Sequence, residues 1–192
     1  MFGGSLLFSI SIRRVNILAL DLSLTSTGYS HNGETGIISC NGTGPYRLAY
    51  VKNEVEKLIN QFSIDVVVLE GYSFSSRNSQ AHSIGELGGV IRLLLWEREI
   101  GFIVIPPTCR AKFATGKGNA SKNEVISSVS AKTGTVWQNP GADDKCDAWV
   151  MEEMVLCKVG KARFDWPSTH VSALDKVDWS VLDIYKAMHG DL

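Results

Sequence analysis

The stretch that decides the fold is Val15 to Leu20 (VNILAL), an apolar and partly β-branched run that ends at Asp21. Such a run is typical of a buried β-strand. Two further short strands are predicted at Gly28–His31 and Gly36–Cys40, and the dipeptide Asn32-Gly33 between them is a hairpin turn signal. Three consecutive strands with connections this short predict an antiparallel meander.

Helices and strands alternate after this meander. The segment Tyr46–Phe62 carries apolar residues at helical spacing. Ile64–Leu69 (IDVVVL) is almost continuously apolar, as expected of a strand covered on both faces, and Glu70 follows it. A long helix is predicted at Ala81–Arg98 and another buried strand at Phe102–Ile105. Strands that are separated by helices in this way pair in parallel.

The second half of the chain is mostly helical by pattern. A basic, glycine-containing stretch covers Thr108–Asn119, and Ser121 is a suitable N-cap for a helix that runs to about Lys132. Ala142–Lys158 is the last strong helix, and a weaker helical run covers Trp179–Met188. The order of elements predicts an α/β fold with a mixed five-stranded sheet, three antiparallel strands and then parallel strands, flanked by helices. That order fits the ribonuclease-H-like architecture.

The composition is that of one globular domain with short additions at its ends. Of 192 residues, 44% are apolar and 20% are charged, and 19 basic residues nearly balance 20 acidic ones. These values exclude a disordered chain, a collagen-like chain and a histone-like polycation, so a nucleic-acid site has to be a local basic patch. We divide the chain into residues 1–14, a leader or a short extra strand, residues 15–158, the main domain, and residues 159–192, a C-terminal appendage of unknown role.

Apolar runs and cysteines bear on the location of the protein. No run of about 18 apolar residues occurs, so no transmembrane helix is predicted. The four cysteines are far apart and form no C-x-x-C pair, which indicates reduced thiols and neither disulfides nor a zinc site. We therefore expect a cytoplasmic protein that does not associate with a membrane.

Acidic residues stand at the ends of the predicted elements. Asp21 and Glu70 each end a buried strand, and parallel strands bring such ends together at one edge of the sheet. The last strong helix opens with Asp143 and Asp144, either of which can share a face with Asp147. Each acid alone is also explained as a cap or turn residue. Together they predict a cluster of carboxylates, whose oxygens suit Mg²⁺ or Mn²⁺.

A basic stretch is the second functional signal. Between Thr108 and Asn123 the chain has no acidic residue and four basic ones, which are Arg110, Lys112, Lys117 and Lys122. Beside an acidic metal site, these residues suit a polyanionic substrate whose phosphodiester bond two metal ions can hydrolyse. Without the acids, a solvated basic loop would explain the stretch equally well.

The polar loop Gly71–Gln80, directly after Glu70, is the third signal. It contains Tyr72 and Phe74, with Arg77 nearby. Aromatic side chains in such a loop can stack on DNA bases or wedge between them. The alternative is that both aromatic side chains fold back into the core.

Four ordered motifs resemble those of RuvC-type Holliday junction resolvases. They are ILALDLSLTSTGYS (17–30), VVVLEGYSF (66–74), KFATGKGNASKNEV (112–125) and ADDKCDAWVM (142–151), and together they span most of the chain. The resemblance implies a ribonuclease-H-like nuclease that works as a homodimer and nicks four-way DNA junctions in pairs, one strand per subunit. It also implies two Mg²⁺ or Mn²⁺ ions per active site and a branch-migration helicase as a candidate partner.

The resemblance assigns roles to individual residues. The catalytic acids that it implies as metal ligands are Asp21, Glu70, Asp144 and Asp147. Asp143 is a neighbour able to substitute for Asp144, Lys122 corresponds to the catalytic lysine near the scissile phosphate, and the glycine-bearing helix from Ala81 corresponds to the dimer interface. The residues expected to contact DNA are Tyr72, Phe74, Arg77, Arg110, Lys112, Lys117 and Lys122.

The chain departs from the family pattern at three points. Leu22-Ser23 follows the first acid in place of Pro-Gly, one lysine, Lys112, stands where the family has a pair, and Ser73 stands at the position of the wedge aromatic. These features resemble phage-encoded members more than the bacterial housekeeping enzyme.

Three other functions are consistent with parts of the sequence. A broader flap or branched-DNA nuclease of the same fold would cut a junction and a fork with equal efficiency. An actin-like or sugar-kinase ATPase is loosely similar in the spacing from Asp21 to Gly28, but such proteins have a duplicated domain and a second phosphate loop. A junction-binding scaffold without cleavage requires a broken set of acids, and in this sequence the set is intact.

Overall fold

One mixed β-sheet organises the protein. In the computed structural model, which describes residues 15–72 and 80–190, five strands pair in the order β3-β2-β1-β4-β5. Strand β2 is antiparallel to β1 and β3, whereas β4 is parallel to β1 and β5. The predicted mixed sheet is therefore confirmed. The strands are β1 (Ile17–Asp21), β2 (Ser26–His31), β3 (Glu34–Ser39), β4 (Val66–Glu70) and β5 (Gly101–Ile105).

Helices cover both faces of this sheet. Two long helices pack on one face, three more pack on the other, and short helices follow in the C-terminal segment. They are α1 (Gly44–Phe62), α2 (Gln80–Glu97), α3 (Pro107–Thr115), α4 (Lys122–Thr133), α5 (Ala142–Lys158), α6 (Ser168–Val171), a 3-10 turn (Leu174–Lys176) and α7 (Ser180–His189). Within the described ranges, each of these helices is too short or too polar to cross a lipid bilayer.

Local sequence explains where several elements begin and turn. Helix α4 starts with a capping box, in which Ser121 and Glu124 bond each other's backbone N–H groups. The β2–β3 hairpin turns through Asn32 and Gly33, both with positive φ, as the predicted turn requires. Helix α3 is not predicted from the sequence. Its basic residues indicate an exposed stretch, although one side of the helix, which includes Phe113, is buried.

The alternation of side chains along β1 and β4 decides which face each acid joins. Ala19 and Val68 belong to the core under α3, α4 and α5, whereas Leu20 and Leu69 belong to the core under α1 and α2. Since successive strand residues point to opposite faces, the residues that follow Leu20 and Leu69 point toward α5. Those residues are Asp21 and Glu70.

The C-terminal segment shares the core of the domain. Ala173, Leu174 and Leu182 are buried in the same cluster as the α5 side of the sheet. The segment predicted as an appendage, residues 159–192, thus packs against the domain at positions up to Tyr185. The predicted leader or extra strand, residues 1–14, lies outside the described residues.

An ion-pair clamp ties this segment to helix α5. Arg163 pairs with Glu152 and Glu153, whose side chains are 2% and 0% exposed. Glu152 also accepts hydrogen bonds from Ser30 Oγ at 2.5 Å and from the backbone N–H of Gly33 at 3.1 Å. One cluster of charges therefore connects β2, the hairpin turn, α5 and the C-terminal segment.

Arg163→Gln is expected to destabilise the protein by about 3 kcal/mol, because it leaves two buried carboxylates without their cation. Urea denaturation measures the loss. The control is Lys57→Gln, which removes an exposed pair with Glu54 and should leave the denaturation midpoint nearly unchanged. Equal denaturation midpoints for the two variants would contradict the clamp.

Candidate functional site: a buried carboxylate cluster

Asp21 and Glu70 lie side by side at one edge of the sheet. Leu20 of β1 pairs with Leu69 of β4 in parallel register, so the acids that follow them occupy neighbouring positions. Neighbouring strands are about 4.8 Å apart. Asp21 is 6% exposed and lies inside the protein, under helix α5.

Helix α5 approaches this edge closely because β2 has a glycine there. Gly28 pairs with Asp21 across the sheet, and a Cβ at Gly28 would lie only 2.1 Å from the backbone oxygen of Asp144. The first turn of α5 thus rests directly on the backbone of β2. The sequence analysis did not single out Gly28 for this role, and its position opposite Asp21 in the hairpin is the signal that could have found it.

The structure separates the three acids at the start of α5. Asp144 and Asp147, three residues apart, are both buried, whereas the side chain of Asp143 is 38% exposed. Lys122 Nζ donates a hydrogen bond to Asp143 Oδ2 at 2.6 Å and lies 3.9 Å from Asp144 Oδ1. Lys122 therefore sits beside the cluster, and Asp143 is the acid that pairs with it.

Arg110 lies within the carboxylate cluster. Its side chain is 8% exposed, and its guanidinium donates to Glu70 Oε1 through Nε and to Asp147 Oδ1 through Nη1. The sequence analysis placed Arg110 with the residues that hold the DNA backbone; in the structure its side chain is buried, on the same face of α3 as the buried Phe113 and Ala114.

Burial and mutual repulsion make the carboxylates hard to ionise. Burial, followed by the charges of Glu70 and Asp147, raises the pKa of Asp21 well above its usual value. Burial also raises the pKa of Asp147 to about 7, although Arg110 opposes the shift. The pKa of Asp144 is raised in the same direction, again mainly by burial. Without a cation to balance their charge, these carboxyl groups therefore favour their protonated forms more than exposed carboxyl groups do.

These residues fit a hard divalent cation. The donor set consists of carboxylate oxygens, which Mg²⁺ and Mn²⁺ prefer. Asp147 Oδ2 is buried and accepts no hydrogen bond. Within residues 15–72 and 80–190, no three acidic, histidine or cysteine side chains converge closely enough to chelate a metal as they stand. Arg110 joins Glu70 and Asp147 instead.

The remaining basic residues of the Thr108–Asn123 stretch are less buried than Arg110. Lys112 is half-buried on α3, and the side chain of Lys117 is 70% exposed, 4.0 Å from Glu124. Burial alone would lower the pKa of Lys122, but the hydrogen bond to Asp143 and the negative charges of Asp143, Asp21 and Asp147 together outweigh burial, and the pKa is raised. A cationic Lys122 follows at neutral pH.

Tyr72 packs against helix α2. Its ring lies under the guanidinium of Arg92, which is 5.0 Å from the ring centroid, and its hydroxyl donates to the Gly85 carbonyl at 3.4 Å. A Cβ at Gly88 would lie 1.9 Å from the Tyr72 hydroxyl oxygen, so Gly88 makes room for the ring. Phe74 and Arg77, also predicted to contact DNA, lie outside the described residues.

Comparison with known sequences identifies the family. A family model described as "Crossover junction endodeoxyribonuclease RuvC" matches residues 17–152. The chain belongs to the RuvC family. The match contains every acid of the cluster, together with Arg110 and Lys122, and it ends within α5. RuvC-family proteins are nucleases, and their activity depends on metal ions.

Individual RuvC relatives match across most of their length. The RuvC of Caldicellulosiruptor saccharolyticus is 28% identical over 146 residues, which cover 70% of this chain and 87% of the relative. The RuvC of Prochlorococcus marinus strain MIT 9303 is 26% identical over 145 residues, which cover 70% of this chain and 93% of the relative.

Solved RuvC structures share the fold. Thermus thermophilus RuvC matches with a TM-score of 0.60 and 17% identity over 79% of this chain and 100% of its own. The same enzyme in complex with a Holliday junction substrate gives a TM-score of 0.59 at 16% identity, with the same coverage. The yeast mitochondrial Holliday junction resolvase matches with a TM-score of 0.51 and 11% identity over 91% of this chain and 82% of its own.

Proposed function

We propose that this RuvC-family protein resolves four-way DNA junctions by paired, symmetric nicks that leave 5′-phosphate and 3′-hydroxyl ends. The observation that carries the proposal is the buried cluster of carboxylates from three distant parts of the chain, placed at one sheet edge inside the region that matches the family. The catalytic acids of the proposal are Asp21, Glu70, Asp144 and Asp147.

The same four acids would hold two divalent ions, Mg²⁺ or Mn²⁺. When bound, such a pair activates water and stabilises the leaving oxygen of a phosphodiester. The protein's own part is to keep the carboxylates buried, oriented and close together before DNA arrives. Asp143 points to Lys122 and not into the cluster, which favours Asp144 as the ligand.

The basic residues beside the cluster would hold the DNA backbone. Lys122 can donate to the oxygens of the scissile phosphate when it leaves Asp143, and Lys112 and Lys117 extend the positive surface along α3 and the following loop. Contacts to phosphate weaken as salt rises, because binding releases counterions. Tyr72, Phe74 and Arg77 stay predictions for the contact with the crossover, and Tyr72 packs on α2 in the structure.

Helix α2 is the proposed homodimer interface. Gly85, Gly89, Leu93 and Trp96 share one face of the helix, since they are three or four residues apart. Leu93 is 54% and Trp96 77% exposed, and a Cβ at Gly85 or Gly89 would meet nothing within 4 Å. The Tyr72 ring fills the space beside Gly88, the third glycine of the helix, so this position is not available to a partner subunit.

Trp96→Glu is expected to weaken self-association about 30-fold or more, since a tryptophan at the centre of an interface typically contributes 2 kcal/mol or more. Sedimentation or light scattering across a concentration series measures it. The control is Tyr46→Glu, which changes an aromatic residue that is 66% exposed on α1. The interface is wrong if both variants dimerise like the unmodified protein.

A synthetic mobile four-way junction tests the reaction. Incubated with Mg²⁺ or Mn²⁺ and mapped on all four strands, it should show nicks at symmetric positions in two opposing strands. A fork substrate in parallel separates the alternatives: equal cutting of junction and fork favours the broader branched-DNA nuclease, and binding without cutting favours the scaffold.

Partners and location follow from the same proposal. A branch-migration helicase and a cytoplasmic site of action, in a bacterial cell or a phage-infected host, stay predictions that the bacterial RuvC relatives support. Co-sedimentation of the protein, a four-way junction and a candidate helicase would test the first of these.

A further inference from the structure

Arg110 occupies the place between two acids of the proposed metal site. The guanidinium bonds one oxygen of Glu70 and one of Asp147, and it is nearly closed off from solvent. Hydrogen bonds between a guanidinium and a carboxylate are among the stronger polar contacts in proteins. The planar fork of donors lets one arginine hold two carboxylates at a fixed separation.

The backbone around Arg110 keeps it in this position. Helix α3 begins at Pro107, directly after β5, and buries Cys109, Ala111 and Phe113. Arg110 is thus anchored at the sheet edge where β4 ends, with its head group turned toward α5. A contact with the DNA backbone would require it to leave both carboxylates.

A divalent cation and this guanidinium need the same oxygens. Mg²⁺ takes oxygen ligands at about 2.0–2.1 Å in octahedral geometry, and Glu70 Oε1 and Asp147 Oδ1 both accept bonds from Arg110. A metal ion and a guanidinium that share these two carboxylates would also repel each other, because both are positively charged. Asp147 Oδ2 accepts no hydrogen bond, so metal and guanidinium do not compete for it.

We propose that Arg110 is a built-in counter-ion that holds Glu70 and Asp147 together in the metal-free protein and weakens the binding of the metal that displaces it. The inference rests on the proposed metal site and assigns Arg110 a positioning role. Without Arg110, Asp21, Glu70 and Asp147 would repel one another with no cation between them. Arg110 therefore stabilises the folded protein before the metal binds, and the same side chain lowers the affinity for the metal.

The test is calorimetric titration of the DNA-free protein with Mn²⁺, together with the melting temperature in the absence of metal. Arg110→Gln should melt at a lower temperature than the unmodified protein and bind Mn²⁺ at least tenfold more tightly. Arg110→Lys keeps one charge but cannot hold both carboxylates through a planar fork, so its affinity should lie between the two. This variant also serves if Arg110→Gln does not fold.

Arg163→Gln is the matched control. It removes an arginine that also joins two acids, Glu152 and Glu153, which lie five and six residues after Asp147 in α5. It should lower the melting temperature and leave the affinity for Mn²⁺ unchanged. If Arg110→Gln only destabilised the protein, it would show the same result as this control.

Two outcomes overturn the counter-ion role. If the Arg110 variants bind Mn²⁺ as the unmodified protein does, the guanidinium does not compete with the metal, and if they bind it more weakly, Arg110 only shapes the site. Failure of the proposed function looks different, because neither the unmodified protein nor the Arg110 variants would then take up Mn²⁺.

Discussion

Asp21→Asn is expected to leave the binding of a four-way junction intact and to reduce its cleavage about a thousandfold or more. Asp21 ends β1, the central strand of the sheet, and its carboxylate is buried near those of Glu70 and Asp147. Metal ions supply several kcal/mol of transition-state stabilisation, and each 1.4 kcal/mol or so is a factor of ten in rate. Single-turnover cleavage and a gel-shift assay measure the two effects separately.

The same substitution is expected to raise the melting temperature of the metal-free protein at neutral pH. The pKa of Asp21 is raised, mainly by burial, so its charged form destabilises the folded state. That penalty is present above the raised pKa and absent below the usual pKa of aspartate, so the gain should shrink as the pH falls. Asp175→Asn, at an exposed position in the 3-10 turn, is the control for both measurements. Cleavage at the unmodified rate would remove Asp21 from the catalytic set.

Gly28→Ala is expected to have the second-largest effect, although it adds only one methyl group. The new Cβ would lie 2.1 Å from the Asp144 backbone oxygen, so α5 has to move away from β2. A shift of about 1 Å in a catalytic group can lower activity about 100-fold. Overpacking of this kind also costs about 1–3 kcal/mol of stability. Cleavage rate and urea denaturation should both be measured.

Gly101→Ala separates the two consequences of added volume. Its Cβ would lie 2.7 Å from Val181 Cγ1, at the opposite end of the parallel strands. We expect a loss of stability with cleavage nearly unchanged, because α5 and the acids stay in place. If Gly28→Ala cleaves as well as Gly101→Ala, the close approach of α5 at Gly28 does not position Asp144.

Periodicity was sufficient to predict the sheet. The apolar runs before Asp21 and Glu70 are strands because they alternate between two buried faces, and the same alternation directs both acids toward α5. The helix Ala142–Lys158 has the bounds that its pattern predicts. These elements depend on local pattern and burial, which a single sequence contains.

The position of Arg110 could not be predicted from the same information. Its basic neighbours along the chain indicated a surface, whereas its partners, Glu70 and Asp147, are 40 and 37 residues away. The buried side of α3 has no clear helical periodicity, so the sequence predicts neither the helix nor the burial of Arg110. The pairing of Asp143 with Lys122 likewise depends on how α4 meets α5.

The central claim is that acids from three distant stretches share divalent cations. The most direct measurement is anomalous diffraction from crystals of the full chain grown with Mn²⁺. The account predicts anomalous peaks in contact with Asp21, Glu70, Asp144 and Asp147, with Arg110 released from at least one carboxylate. Mn²⁺ bound only elsewhere, with Arg110 still joining Glu70 and Asp147, would contradict it.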